Sequence, residues 1–269
     1  MTAPPFPLAL LAGPHRAEDE HLQLAAALAI PLVDRPEAAM LLLRFGPEGL
    51  ELSRPDDPLL PGGLRADFSS RDFRRRLLHP GEELLVQAAK VRGRAQPLVV
   101  DATAGLGRDG FLLAAAGCRV RMFESNPVVA ALLADGLARA RREPALAAMV
   151  ERIDLVAGDA REHLPALAET PDVVFLDPMF PERAKSALVR QELRLLQLLD
   201  HNQKNQKNQK NCDPDDLLRL ALAVAARKVV VKRPLKAASL AGMPPSYSRR
   251  GRAVRFDVYL GRGKKENSG

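Results

Sequence analysis

The chain has 269 residues, enough for one large domain or for one domain and a small companion. An apolar fraction of 46% and a charged fraction of 27% fit a globular protein, and no apolar run reaches the roughly 18 residues a membrane helix needs. The formal charge of +7 suits a phosphate-rich partner, because each phosphate neutralised releases counterions.

At the start of the chain, Phe6-Pro-Leu-Ala-Leu-Leu-Ala12 is short, and no Lys or Arg precedes it. It therefore reads as a buried strand rather than a signal peptide, and the expected location is the cytoplasm. Strand-like runs at Leu8–Ala12, Met40–Phe45 and Gly49–Ser53, with a helical stretch at Glu18–Ala29, lie between Pro and Gly breaks. Residues 1–78 are thus expected to form a small α+β domain. Its last segment, Arg71-Asp-Phe-Arg-Arg-Arg76, is a basic cluster that suits either a solvated helix face or a phosphate patch. Cys118 and Cys212 lie far apart, and neither they nor the five histidines show a ligand spacing, so neither a metal nor a disulfide is expected.

From residue 79 to 263 the pattern becomes helices alternating with apolar strands. Helical stretches are read at Glu82–Arg92, Gly105–Ala116, Pro127–Arg141, Ala184–Leu199 and Asp215–Ala226. Strands are read at Pro97–Asp101, Arg119–Glu124, Ile153–Ala157, Asp172–Asp177, Lys228–Lys232 and Ala253–Leu260. Such alternation builds βαβ units and a mostly parallel, Rossmann-like sheet. Residues 202–211 repeat Asn, Gln and Lys without an apolar side chain, so a mobile polar insertion is expected there.

Chemistry gathers at the strand ends. Gly105 and Gly107 follow the first strand and let the backbone turn tightly against a ligand at the start of the next helix. Asp101 closes that strand. Glu124 closes the second, 17 residues after Gly107, about where a carboxylate meets ribose hydroxyls in nucleotide-binding units. Asp159, after the third, is placed for an adenine amino group. A nicotinamide dinucleotide and S-adenosylmethionine both fit this much, since Gly110 completes a G-x-G-x-x-G spacing.

The fourth strand discriminates. It ends in Asp177-Pro-Met-Phe180, similar to the Asp-Pro-Pro-Phe type of tetrad found in enzymes that methylate amino groups on bases. Such an amine is a poor nucleophile because its lone pair is delocalised into the ring. Asp177 and the carbonyl of Pro178 can accept its N–H bonds and favour the pyramidal form, Pro178 stiffens the turn, and Phe180 can stack on an extruded base. Met179 stands where Pro is usual. The reading is an S-adenosylmethionine-dependent methyltransferase acting on a base amine. A methyltransferase for adenine N6 and a non-catalytic RNA-binding module are the rivals.

Asp101-Ala-Thr-Ala-Gly-Leu-Gly-Arg-Asp109, Gly117-Cys-Arg-Val-Arg-Met122, Leu176-Asp-Pro-Met-Phe-Pro181, Lys185-Ser-Ala-Leu-Val189 and Val229-Val-Val-Lys-Arg-Pro234 together resemble one family. It is the bacterial small-subunit ribosomal RNA guanine-N2 methyltransferase family often called RsmJ. The resemblance runs from Val99 to Pro234, thins toward Leu260, and rests on Pro61-Gly-Gly-Leu-Arg-Ala-Asp-Phe68 nearer the start. It implies a class I methyltransferase domain with a mostly parallel seven-stranded sheet, S-adenosylmethionine as donor, and 16S rRNA or the 30S particle as partner. It also implies cofactor contacts at Arg108 and Asp109, Glu124 and Ser125, Asp159 and Ala160, and Asp177. The stretch Leu78-His-Pro-Gly-Glu-Glu-Leu84 departs from the family, whose members have more glycine and arginine there. Lys232 and Arg233 after the fifth strand, and Lys185 after the tetrad, are expected to contact RNA phosphate or shape the base pocket. A monomer with no bound metal and no membrane association is expected.

Overall fold

The computed structural model describes residues 6–55, 63–178, 194–199 and 213–261. These form two compact units, one drawn from Met1–Ala66, Ala131–Gly136 and Phe180–Asn211, the other from Asp67–Ala130, Leu137–Met179 and Cys212–Gly269.

In the first unit, β1 (Phe6–Leu11) pairs in parallel with β2 (Leu32–Val33) and with β3 (Ala39–Gly46), and β3 turns back on β4 (Gly49–Ser53). The helix α1 (Glu18–Leu28) links β1 to β2. Ala9, Leu10, Leu41, Leu43 and Leu52 are fully buried, which accounts for the continuous apolar runs in these strands. Glu51 is buried with them and is held by Arg44 at 2.5 Å and Arg65 at 3.0 Å.

The second unit opens with α2 (Arg71–Leu78) and α3 (Leu84–Ala89). The expected boundary at residue 78 had placed α2 in the first unit. It joins the second because Phe73 packs at 5.9 Å from both Phe68 and Phe111, and Phe68 stacks on Phe111 at 4.3 Å. The expected helix over Glu82–Arg92 is only α3, since a 3-10 turn at Pro80–Glu82 and an extended Glu83 precede it.

Then follow β5 (Leu98–Asp101), α4 (Arg108–Ala115), β6 (Arg119–Glu124), α5 (Pro127–Arg141), α6 (Pro144–Val150), β7 (Ile153–Ala157), α7 (Ala160–His163) and β8 (Val173–Leu176). The next described element is α8 (194–199), which groups with the first unit. The second unit closes with α9 (Pro214–Val224), β9 (Lys228–Pro234), β10 (Tyr247–Arg250) and β11 (Val254–Leu260). Its seven strands lie in the order β10-β11-β9-β8-β5-β6-β7. β5 to β9 run parallel, β11 is antiparallel to β9, and β10 pairs antiparallel with β11 at the edge. Chain order reverses between β5 and β8. In open α/β sheets such a switch point leaves a crevice beyond the strand ends, where ligands bind. The expected Rossmann-like, mostly parallel seven-stranded sheet is the one present.

Candidate functional site

Asp101, at the end of β5, is 1% exposed. Burial first, and then the charge of Asp109, push its carboxyl up to about 8. It accepts a hydrogen bond from the Thr103 N–H at 3.2 Å. The turn that follows uses the two glycines as expected, with φ of +55° at Gly105 and +78° at Gly107. These left-handed residues stay outside the helix, so α4 begins at Arg108 rather than Gly105. A Cβ on Gly105 would meet nothing within 4 Å, so that side of the loop is open. A Cβ on Gly110 would lie 3.1 Å from the Asp101 carboxylate and 2.4 Å from the Met122 methyl, so the third glycine lets α4 pack closely on β5 and β6.

Glu124 ends β6 and faces the same loop. Its Oε2 accepts the Gly105 N–H at 2.7 Å and its Oε1 the Asn126 N–H at 2.8 Å. Ser125 is exposed beside it, and Asn126 caps α5 by accepting from the N–H groups of Val128 and Val129. Asp159 caps α7 after β7, with Ala160 buried behind it. The Arg161 guanidinium, hydrogen-bonded to Asp159 at 2.5 Å, holds that carboxyl below the usual aspartate value.

On the other side of β5, the Asp177 N–H donates to the Thr103 hydroxyl at 2.7 Å, which ties the turn after β8 to the turn after β5. The Lys232 ammonium sits between two carboxylates, 2.6 Å from Asp109 Oδ2 and 2.8 Å from Asp177 Oδ2. Burial opposes a charge on Lys232, but Asp109 and then Asp177 outweigh it and hold the lysine above its ordinary value. Asp177 is raised, chiefly by burial, with Lys232 pulling against the shift and Asp109 adding to it. Lys232 thus faces carboxylates, and phosphate contact is not what its position favours. Arg233 is 6% exposed and donates to the Ala238 carbonyl at 2.7 Å, so it is held within the protein rather than presented at the surface. Pro178 is buried. Phe180 and Lys185 lie outside the described residues.

A cleft of about 610 Å³ opens beside this cluster, lined among others by Arg75, Arg76, Asp109, Lys232 and Arg252. The sequence alone leaves Arg75 and Arg76 between two readings and assigns no individual role to Thr103, Asn126 or Arg252. Only the run of arginines in Arg71–Arg76 hinted at the cleft.

A family profile described as "Putative SAM-dependent methyltransferase" matches residues 23–261. A protein of Thioalkalivibrio sulfidiphilus named ribosomal RNA small subunit methyltransferase J is 44% identical, over 88% of this chain and 91% of that protein. One of the same name from Tolumonas auensis is 45% identical over 91% and 96%. The chain belongs to the ribosomal RNA small subunit methyltransferase J family. A crystal structure of a SAM-dependent methyltransferase of Neisseria gonorrhoeae, 31% identical, aligns over 97% of this chain and 99% of that one with a TM-score of 0.71. The family is one of S-adenosylmethionine-dependent enzymes, which decides between the two cofactors that the glycine loop alone admits. Among the described residues no helix is long and apolar enough to cross a membrane.

Proposed function

We propose that the protein transfers a methyl group from S-adenosylmethionine to the exocyclic N2 amine of a guanosine in small-subunit ribosomal RNA. The observation that carries this reading is the Asp177–Pro178 turn at the end of β8, with the Asp177 carboxylate held by Lys232 beside the open glycine loop. The names of the relatives support ribosomal RNA as the substrate class.

The donor set at the strand ends fits the cofactor. Asp101, Gly105 and Gly107 would flank its methionine part, with Arg108 and Asp109 at the start of α4. Glu124 and Ser125 would take the ribose hydroxyls, and Asp159 and Ala160 the adenine. Bound there, S-adenosylmethionine supplies a methyl group activated on a sulfonium. The Asp177 carboxylate and the Pro178 carbonyl accept the N–H bonds of the amine, hold its nitrogen in line and favour its pyramidal form. Lys232 acts through Asp177: it opposes protonation of a half-buried carboxyl that must accept rather than donate. Phe180 would stack on the base. The reading implies a monomer working in the cytoplasm on RNA or on the 30S particle.

The test is methyl transfer from labelled S-adenosylmethionine to small-subunit RNA and particles from a strain lacking this protein. Label recovered as N2-methylguanosine, and lowered at least 100-fold by Asp177→Ala, is expected, since orienting groups contribute on the order of 10²-fold or more. Label in N6-methyladenosine, or none with cofactor binding intact, sinks the proposal.

A further inference from the structure

Four guanidinium groups on α2 and around the β10–β11 turn have no hydrogen-bond or ion-pair partner among the described residues: Arg71, Arg75, Arg250 and Arg252. All four are exposed. Their neighbours in sequence are engaged. Arg74 pairs with Glu143, Arg76 makes a two-pronged pair with Glu83 at 2.7 and 2.9 Å, and Arg249 reaches Gln87 at 3.4 Å. An arginine without a carboxylate is left available for an outside anion.

The free arginines stand on two anchored supports. α2 is fixed by Phe73, which packs on Phe111 of α4. The turn between β10 and β11 is fixed at Gly251, where a Cβ would lie 2.8 Å from Leu84 Cδ1 and 3.1 Å from the Val254 carbonyl oxygen. Arg75 from the first support and Arg252 from the second line the same cleft as Asp109 and Lys232. Arg75 also lines an adjoining hollow of about 690 Å³ with Arg71 and Leu78, and Leu78 is 72% exposed. The first depression is lined by Asp109 and by Lys232, the lysine that holds Asp177, and the two depressions, which share Arg75, are together termed the track. Glu82 and Asp72 are acids on its walls, while Glu83 and Asp109 are already neutralised by Arg76 and Lys232.

We infer that this track seats the single-stranded RNA flanking the target nucleotide, with Arg75 of α2 and Arg252 of the β10–β11 turn gripping phosphates. The inference deepens the proposed function and rests on it for the identity of the nucleic acid. A single strand is favoured because a base must leave its stack to reach a recessed amine acceptor, which is readily done only in unpaired RNA. An exposed leucine beside free arginines also suits an unstacked base better than a duplex edge.

The experiment is binding of a labelled single-stranded oligoribonucleotide from small-subunit RNA, measured across a salt series with wild type, Arg75→Gln/Arg252→Gln and Arg75→Lys/Arg252→Lys. Cofactor affinity and methyl transfer are measured on the same proteins. Each phosphate contact on a single strand contributes about 0.7 to the slope of log affinity against log salt, so the Gln pair should lower it by about 1.4. The Lys pair should keep the slope, and cofactor affinity should stay unchanged in both. A wild-type slope in the Gln pair, a matching loss of cofactor affinity, or tighter binding to duplex than to single strand would overturn the inference. An arginine-dependent slope without methyl transfer to small-subunit RNA would leave the track standing and remove the proposed reaction.

Discussion

At the scale of the residue, Lys232 decides how the site responds to pH. Its ammonium is shared by two carboxylates whose positions are 123 and 55 residues away in sequence. Asp177 sits above the ordinary aspartate value because burial outweighs the lysine. In the proposed mechanism the ionised carboxylate is the competent acceptor, so activity should be present above its folded pKa and lost as pH falls through it. In Lys232→Met the lowering influence disappears while burial and Asp109 remain, so the pKa climbs further. The acid limb of the kcat profile should move to higher pH, and kcat at neutral pH should fall by about 10- to 100-fold, the cost of a misplaced acceptor. A lysine that merely touched phosphate would leave the limb in place and raise KM for RNA. The lysine itself was legible in the sequence as a charge at a strand end. Its partners were not, because nothing local links Asp109 to a strand so far along the chain.

At the scale of the element, legibility followed burial. β5, β8 and β9 carry runs of buried side chains, such as Val99, Phe175 and Val230, and these apolar runs stand out in the sequence, while β6 shows itself through buried Val120, Met122 and Phe123 between charged residues. β10 is exposed along its whole length as Tyr-Ser-Arg-Arg, so no alternation marks it. The short β2 and the helix α6 were missed as well, the latter because Pro144 opens it directly after α5.

Two substitutions test what holds these elements in place. Gly110→Ala gains about 1 kcal/mol of helix propensity but drives a methyl into buried Met122 and toward Asp101. Overpacking of this kind costs about 1–3 kcal/mol, so a small net loss in denaturant melts and a raised cofactor Kd are expected. Asp257, fully buried on β11, holds Arg255 at 2.9 Å, and Arg255 in turn donates to the carbonyls of Pro234, Leu235 and Ala237 just after Lys232. Asp257→Ala strands that guanidinium and should cost about 3–5 kcal/mol, whereas Arg255→Met/Asp257→Leu should cost less, because no buried charge is then left unpaired. Equal losses in the two proteins would show that the ion pair does not itself secure the loop.

At the scale of the whole molecule, 40 basic side chains against 33 acidic ones leave a charge of +7, and its arrangement matters more than its size. Arg119, Arg121 and Arg219 spend their charge locally on Glu169, Asp154 and Asp216. Surface pairs of that kind contribute little to stability, but they leave no field for a distant phosphate. The partner-free arginines of α2 and of the β10–β11 turn do, and two of them, Arg75 and Arg252, line the cleft beside Asp109 and Lys232. In the proposed reading the cofactor, by contrast, would meet a site built of Asp101, Glu124 and Asp159, where hydrogen bonds and shape count for more than net charge. Salt should therefore separate the two substrates. With four phosphates engaged at about 0.7 each, raising salt from about 50 to 200 mM should raise KM for RNA roughly 50-fold. The Kd for S-adenosylmethionine should stay within about twofold, since no comparable release of counterions accompanies its binding. Initial-rate kinetics and calorimetry at the two salt concentrations check this. A KM for RNA that barely moves would mean that the reaction relies on base contacts alone and that the excess positive charge serves no electrostatic capture.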